Sequence, residues 1–147
     1  MKPKKRAEIR IESNVKDYKA AIENVRKFRL FKAGHVLRNQ LLRDLAKGPR
    51  TGRRYYVPGT RELYTASAPG ERPAWRTGDL ARSYRLAPDR MPLLGKHIDL
   101  GSELDYATYL EFGTPNMKAR PHLNPAYEAV KEEIRSILTS TDTAGQT

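Results

Sequence analysis

The chain has few residues of the kinds that enzymes use, and none of them stands at catalytic or metal-binding spacing. Its three histidines, His35, His97 and His122, lie far apart and form no local zinc or iron motif. His97 and Asp99 share one face of a predicted strand, where a solvated pair is favoured over a base with an orienting carboxylate. The chain has no cysteine, so thiolate ligands and disulfides are excluded. The sequence therefore predicts no catalytic residue, metal site or cofactor. A nuclease that uses His97 and Asp99 is the least favoured of the three functions considered below.

Two further motifs resemble catalytic or phosphate-binding signatures but lack their defining residues. Residues 48–53 read GPRTGR, without the spacing and the Lys-Ser/Thr ending of a Walker loop. Ser67 and Ser83 lack the flanking glycines of a nucleophile elbow. Neither motif supports an enzyme.

Positive charge is concentrated in the first third of the chain. The formal net charge is +11, and residues 1–54 contain 17 of the 28 basic residues but only 5 of the 17 acidic ones. Such asymmetry points to an anionic partner, either nucleic acid or an acidic protein surface, with a solvated basic helix face as the plain alternative. The residues that could contact phosphate or an acidic partner are Lys2, Lys4, Lys5, Arg6, Arg26, Lys27, Arg29 and Lys32.

The apolar pattern predicts an α+β fold in one domain. Alternation predicts a strand over residues 7–12, and apolar steps of three and four predict a helical segment through Val15, Tyr18 and Ile22 to Leu45, with a break or a bend near residues 27–29. Prolines and glycines then punctuate residues 48–78, which predicts a long extended loop with an irregular ribbon over residues 53–57.

The second half of the chain predicts a small antiparallel sheet and two helices. Residues 83–86 and 96–100 read as strands, after one helical turn capped by Thr77. A short helix stops at Gly113, and a last helix begins at Asn124 and Pro125 or one turn earlier at Pro121. In the short helix, Tyr106, Tyr109 and Phe112 are predicted to be core residues.

We therefore predict a small antiparallel sheet packed with a long N-terminal helical segment and a C-terminal helix. The domain spans residues 7–138, between a basic leader over residues 1–6 and a flexible tail over residues 139–147. No apolar run approaches the about 20 residues of a membrane span, and no apolar segment follows the leader as in a secretory signal.

Four segments together resemble the tail-component family of long-tailed bacteriophages. Residues 63–74 read LYTASAPGERPA and residues 76–83 read RTGDLARS; residues 105–114 read DYATYLEFGT and residues 117–126 read MKARPHLNPA. Their order and spacing match the family's A-S-x-P-G-E-x-P loop, T-G-x-L-x-x-S turn, Y-A-x-Y-L/V-E-F-G-T helix and A-R-P-F-L-x-P-A entry to the last helix. Asp79 stands where the family usually has a basic residue, and His122 where it has an aromatic one.

The resemblance implies a structural virion protein and no enzymatic activity. It implies a neck or tail-completion subunit that forms a ring, sixfold or else twelvefold, around the DNA channel and joins the tail to the head. Expected partners are further copies of the chain, the head-side connector, the tail terminator or tube, and DNA that passes without being read; no membrane is expected. Such a protein is assembled in the host cytoplasm and resides in the virion. The leading alternative is a DNA-binding accessory protein that uses the basic first third.

Three residues predicted to lie on loops are candidates for contacts between subunits. Tyr64, Met117 and Arg120 lie in the segments that carry the resemblance, and their residue types suit interface anchors.

Overall fold

Helices at both ends of the domain and short strands between them make up the structure. The computed structural model describes residues 15–88 and 96–140. It confirms the α+β fold, in which the long N-terminal helix packs against the C-terminal helix and small antiparallel strand pairs complete the molecule. The helices are α1 (Val15–Ala46), α2 (Asp79–Ser83), α3 (Asp105–Phe112) and α4 (Leu123–Thr139).

The helix boundaries settle several sequence-based alternatives. Helix α1 runs without interruption through residues 27–29, so the join predicted there is not a break. Helix α3 ends at Gly113, as predicted. Helix α4 begins at Leu123, between the two predicted starts, and no side chain of its own caps it. The N-cap of α2 is Gly78 and not Thr77, because the chain takes a left-handed conformation at the glycine just before the helix.

The four strands form two separate antiparallel pairs. Strands β1 (Arg54–Tyr56) and β2 (Leu63–Thr65) make a hairpin inside the predicted loop of residues 48–78, of which only the ribbon was predicted. Strands β3 (Tyr84–Ala87) and β4 (Asp99–Ser102) pair with Leu86 opposite Leu100. The predicted strands over residues 83–86 and 96–100 were therefore placed one and three residues too early at their starts.

The core lies where α1 and α4 meet and is closed by the second strand pair. Leu41 and Leu45 of α1 are almost fully buried and pack in one cluster with Tyr84, Ala107 and Ala126. Alanine at the last two positions lets α3 and α4 approach the leucines closely. The apolar steps of three and four in α1 thus bury one face, but only in the second half of that helix.

Gly34 allows the β3–β4 pair to lie directly on α1. A Cβ atom at this position would lie 2.9 Å from Cδ1 of Ile98 and 3.1 Å from Cδ2 of Leu86. A glycine inside a helix lowers its intrinsic stability, so its presence here reflects close packing between the helix and the strands.

The prediction that Tyr106, Tyr109 and Phe112 belong to the core is wrong. Their exposed fractions are 43%, 53% and 79%, while the buried residue of α3 is Ala107. The small alanine faces the protein, and the large rings face outward.

Several predictions concern residues outside the described part of the chain. These are the strand over residues 7–12, the leader over residues 1–6 and most of the tail over residues 139–147; α4 itself extends to Thr139. Among the described residues, no helix combines the length and apolar character needed to cross a bilayer.

Candidate functional site

A cavity of about 390 Å³ lies beside the β1–β2 hairpin and brings together two of the three predicted contact residues. Tyr64 of β2 and Arg120, in the segment before α4, both line it, together with Trp75 and Tyr106. Met117 does not line it. That residue closes a tight turn in which its backbone exchanges hydrogen bonds with Thr114 over 2.8 and 3.1 Å. The structure thus joins two of the candidates and separates the third.

Backbone and side-chain contacts hold the walls of the cavity in place. The N–H of Gly70 donates to the carbonyl of Ala119 over 3.0 Å, which ties the long loop to the segment after α3. On the other side, the guanidinium of Arg72 lies 3.4 Å from the carboxylate of Asp44 in α1. The cavity is therefore formed by segments far apart in sequence, whose relative positions are fixed by these contacts.

Trp75, the only tryptophan of the chain, is set into the wall by the turn that precedes α2. Gly78 has a φ of +80°, and a Cβ atom there would lie 2.5 Å from the indole ring. A larger residue would both strain the turn and displace the ring. Gly78 thus allows Trp75 to lie along the cavity.

Two cationic side chains line the cavity without forming an ion pair inside the described structure. The guanidinium of Arg76 stacks over the ring of Tyr64 at 5.6 Å from its centroid, and the Nε atom of Arg120 is buried without a hydrogen-bond partner among the described residues. Ser67, only 2% exposed, also lines the cavity, and its hydroxyl likewise lacks a partner there. Buried polar groups are normally hydrogen-bonded, so these two atoms are exceptional.

Two carboxylates belong to this region, Asp79 in the cavity lining and Glu71 outside it, and both accept hydrogen bonds from other groups. Thr77 and then Arg82 donate to the carboxylate of Asp79, and these bonds lower its pKa. The carboxylate of Glu71 accepts from the Thr51 hydroxyl and from the N–H of Ala68, which together lower its pKa, with a smaller contribution from the charge of Arg120. Both carboxylates are ionised at neutral pH, yet neither lies within ion-pair distance of Arg76 or Arg120 in the described structure.

A second polar cluster, centred on His122, is buried and has a structural character. The histidine is fully buried, and its Nε2 atom lies 2.7 Å from the hydroxyl of Tyr84. Its Nδ1 atom lies 3.1 Å from both the carbonyl of Arg120 and a carboxylate oxygen of Glu111. Since both of these are acceptors, Nδ1 carries the proton, and the Tyr84 hydroxyl donates to Nε2.

The ionisation of the cluster follows from its burial. Burial lowers the pKa of His122, so the ring is neutral, and burial with the nearby Glu111 charge raises the pKa of Tyr84 to about 12. Burial alone would raise the pKa of Glu111, but three backbone N–H donors at the start of α4 outweigh it and lower that pKa. The contacts of this cluster thus hold α3 against the start of α4.

The eight basic residues predicted to contact phosphate or an acidic partner lie partly inside and partly outside the described chain. Four of these residues lie outside the described part of the chain: Lys2, Lys4, Lys5 and Arg6. The other four lie on α1, where Arg26, Arg29 and Lys32 follow one another at three-residue steps along one side. Lys27 lies on the same two turns, away from that row.

His97 and Asp99 form a surface pair. Their Nε2 and Oδ2 atoms are 3.6 Å apart, and both side chains are largely exposed. In residues 15–88 and 96–140, no three His, Asp or Glu side chains come together in a group that could hold a metal ion.

No family model, curated protein or solved structure matches this chain.

Three cavity residues were not among the contact residues predicted from the sequence. Trp75, Arg76 and Ser67 lie within or between the segments that carry the resemblance, and a lone tryptophan next to an arginine was the available signal. That the Ser67 hydroxyl is buried without a partner depends on the three-dimensional packing.

Proposed function

We propose that this chain is a structural subunit of a tailed bacteriophage, a neck or tail-completion protein that forms a ring and joins the tail to the head. The observation that carries the proposal is the outward position of Tyr106, Tyr109 and Phe112 on α3. Large apolar side chains exposed on one short helix are common at protein interfaces. The three aromatic side chains lie in residues 105–114, one of the segments that resemble the phage family. The residues that carry the resemblance therefore include the exposed ones.

A second apolar surface lies on a different element. Val15, Tyr18 and Ile22 recur along one side of α1, and all three are exposed. In a ring, each subunit contacts its two neighbours through two different surfaces. We assign these two surfaces to the exposed apolar residues of α1 and of α3.

The proposed partners follow from this role. They are other copies of the chain, in a sixfold ring, together with the head-side connector and the tail terminator or tube. DNA would pass through the lumen without being read. The proposed location is the virion, after assembly in the host cytoplasm.

Electron microscopy of the purified full chain, alone and mixed with tail tubes, tests the proposal. Closed rings, or tubes that carry an additional ring at one end, are expected. A chain that stays monomeric at every concentration and leaves the tubes bare would contradict it.

One observation favours the alternative of a DNA-binding accessory protein. Helix α1 contains eight basic and three acidic residues, and its first ten residues are all exposed. A phosphate binder would lose affinity for duplex DNA steeply as salt is raised, because each neutralised phosphate releases counterions. A salt titration with a duplex oligonucleotide therefore separates the two functions: a structural joint shows little affinity to lose.

A further inference from the structure

The cavity beside the β1–β2 hairpin combines an excess of positive charge with aromatic walls. Arg76 and Arg120 supply the positive charge, and neither has a carboxylate within ion-pair distance in the described structure. One carboxylate, that of Asp79, also lines the cavity, but it accepts its hydrogen bonds from Thr77 and Arg82. Trp75 and Tyr106 supply apolar surface. A ligand that suits both features is an anion with an apolar group next to it.

Donors for such an anion are already in place. The Nε atom of Arg120 and the hydroxyl of Ser67 are both buried and lack partners within residues 15–88 and 96–140. Leaving a buried polar group unpaired costs free energy, and a bound acceptor would remove that cost. The Tyr106 hydroxyl, which also lines the cavity, is protonated at neutral pH as any tyrosine is and can act as a donor.

The size and shape of the cavity restrict the anion further. Its volume of about 390 Å³ suits a few side chains or a small molecule. Duplex DNA presents its phosphates on a broad surface and does not enter a cavity of this size. A carboxylate side chain with an apolar neighbour on one peptide segment fits both the charge and the aromatic walls.

We infer that this cavity binds an acidic segment of a partner protein, with its carboxylate on Arg120 and Ser67 and an adjacent apolar side chain against Trp75. An arginine suits a carboxylate because its planar fork can donate two parallel hydrogen bonds. The inference deepens the proposed function by giving the chemistry of one contact with a neighbouring virion protein. It rests on that function only for the identity of the partner.

Trp75 makes the binding directly measurable because it is the only tryptophan of the chain. The full chain is titrated with the blocked peptide acetyl-Gly-Phe-Glu-Leu-Gly-amide while tryptophan emission is recorded. Its glutamine counterpart is the matched control peptide. We expect a saturable change with the glutamate peptide and about tenfold weaker binding of the glutamine peptide, as for loss of a charged hydrogen bond.

Two variants locate the site. Arg120→Gln should weaken binding of the glutamate peptide about tenfold and remove the preference over glutamine. Ser67→Ala should weaken it about threefold while leaving the stability of the chain unchanged or raised, because the hydroxyl it removes is buried and unpaired. Arg85→Gln, an exposed position of β3 outside the cavity, should bind as the parent does.

The inference is overturned if the two peptides bind equally, if no saturable change occurs, or if Ser67→Ala and Arg120→Gln both bind normally. It is also overturned if a duplex oligonucleotide binds the cavity more tightly than the peptide does. Ring formation is recorded on the same samples. Rings without peptide binding would reject the cavity alone, and peptide binding without rings or tube capping would reject the neck function alone.

Discussion

The carboxylate of Glu111 accepts a hydrogen bond from the backbone N–H of His122 over 2.8 Å, and this contact begins a cap on the last helix. The same side chain accepts from the N–H groups of Leu123 and Asn124, each over 3.0 Å. The first N–H groups of a helix have no partner within it, and negative charge is favourable at that end. A residue of α3 thus supplies the cap that α4 lacks.

Glu111→Gln should lower the free energy of unfolding by about 2 kcal/mol, since it removes the charge from three hydrogen bonds at a largely buried site. Urea unfolding followed by far-ultraviolet circular dichroism measures the change. Glu128→Gln is the matched control: that carboxylate is exposed and pairs with Lys131, so its loss should cost less than about 0.5 kcal/mol. Equal effects of the two substitutions would show that Glu111 does not cap the helix.

The stability of the chain should fall as the pH decreases through the ordinary histidine range. Burial holds the pKa of His122 below its ordinary value of 6.5. Below that pH the unfolded chain takes up a proton that the folded chain does not, and so unfolding becomes more favourable. Urea unfolding at a series of pH values between about 7.5 and 5 measures the slope.

The variant His122→Phe tests the origin of that slope. It keeps an aromatic side chain at this position but has no group there that titrates, so its stability should vary less with pH over the same window. His97→Gln is the control, because His97 is exposed and its removal should leave the slope nearly unchanged. A slope that persists in His122→Phe would assign the pH dependence to other groups.

Local sequence patterns predicted which segments become helices but not how helix α4 begins. The apolar steps in α1 and α4 and the stop at Gly113 are all set by residues within a few positions of one another. The cap on α4 comes from Glu111, twelve residues before Leu123, and capping rules applied along the chain do not reach that far. Its position depends on the turn that folds α3 back beside α4.

The exposed aromatic side chains of α3 show a second limit of predicting burial from the apolar pattern. An apolar row predicts a covered face, but it does not say whether the chain itself or a partner covers it. In α3 the chain covers Ala107 and leaves Phe112 exposed. The cavity was partly predictable, because Tyr64 and Arg120 were chosen as contact residues, whereas the unpaired hydroxyl of Ser67 follows only from the packing around it.

Gly34→Val should destabilise the fold by about 2 kcal/mol, although valine has the better helix propensity. Its Cβ atom would lie 2.9 Å from Ile98, and its methyl groups would press further into β3 and β4. Ala20→Val, at an exposed position of the same helix, should cost less than about 0.7 kcal/mol. Urea unfolding of both variants gives the comparison, and equal costs would mean that the strands can move away without loss.

Phe112→Ser should abolish ring assembly while leaving the folded subunit intact. The ring of Phe112 is 79% exposed, so its loss should change the free energy of unfolding by less than about 0.5 kcal/mol. If a neighbouring subunit covers this side chain, its removal deletes a large apolar anchor from the contact. Sedimentation velocity and electron microscopy should then show monomers, whereas Glu133→Ser, on the exposed side of α4, should still give rings. Normal oligomer assembly by Phe112→Ser would place the subunit contact elsewhere. A large loss of stability would mean that the Phe112 side chain stabilises the fold of its own chain.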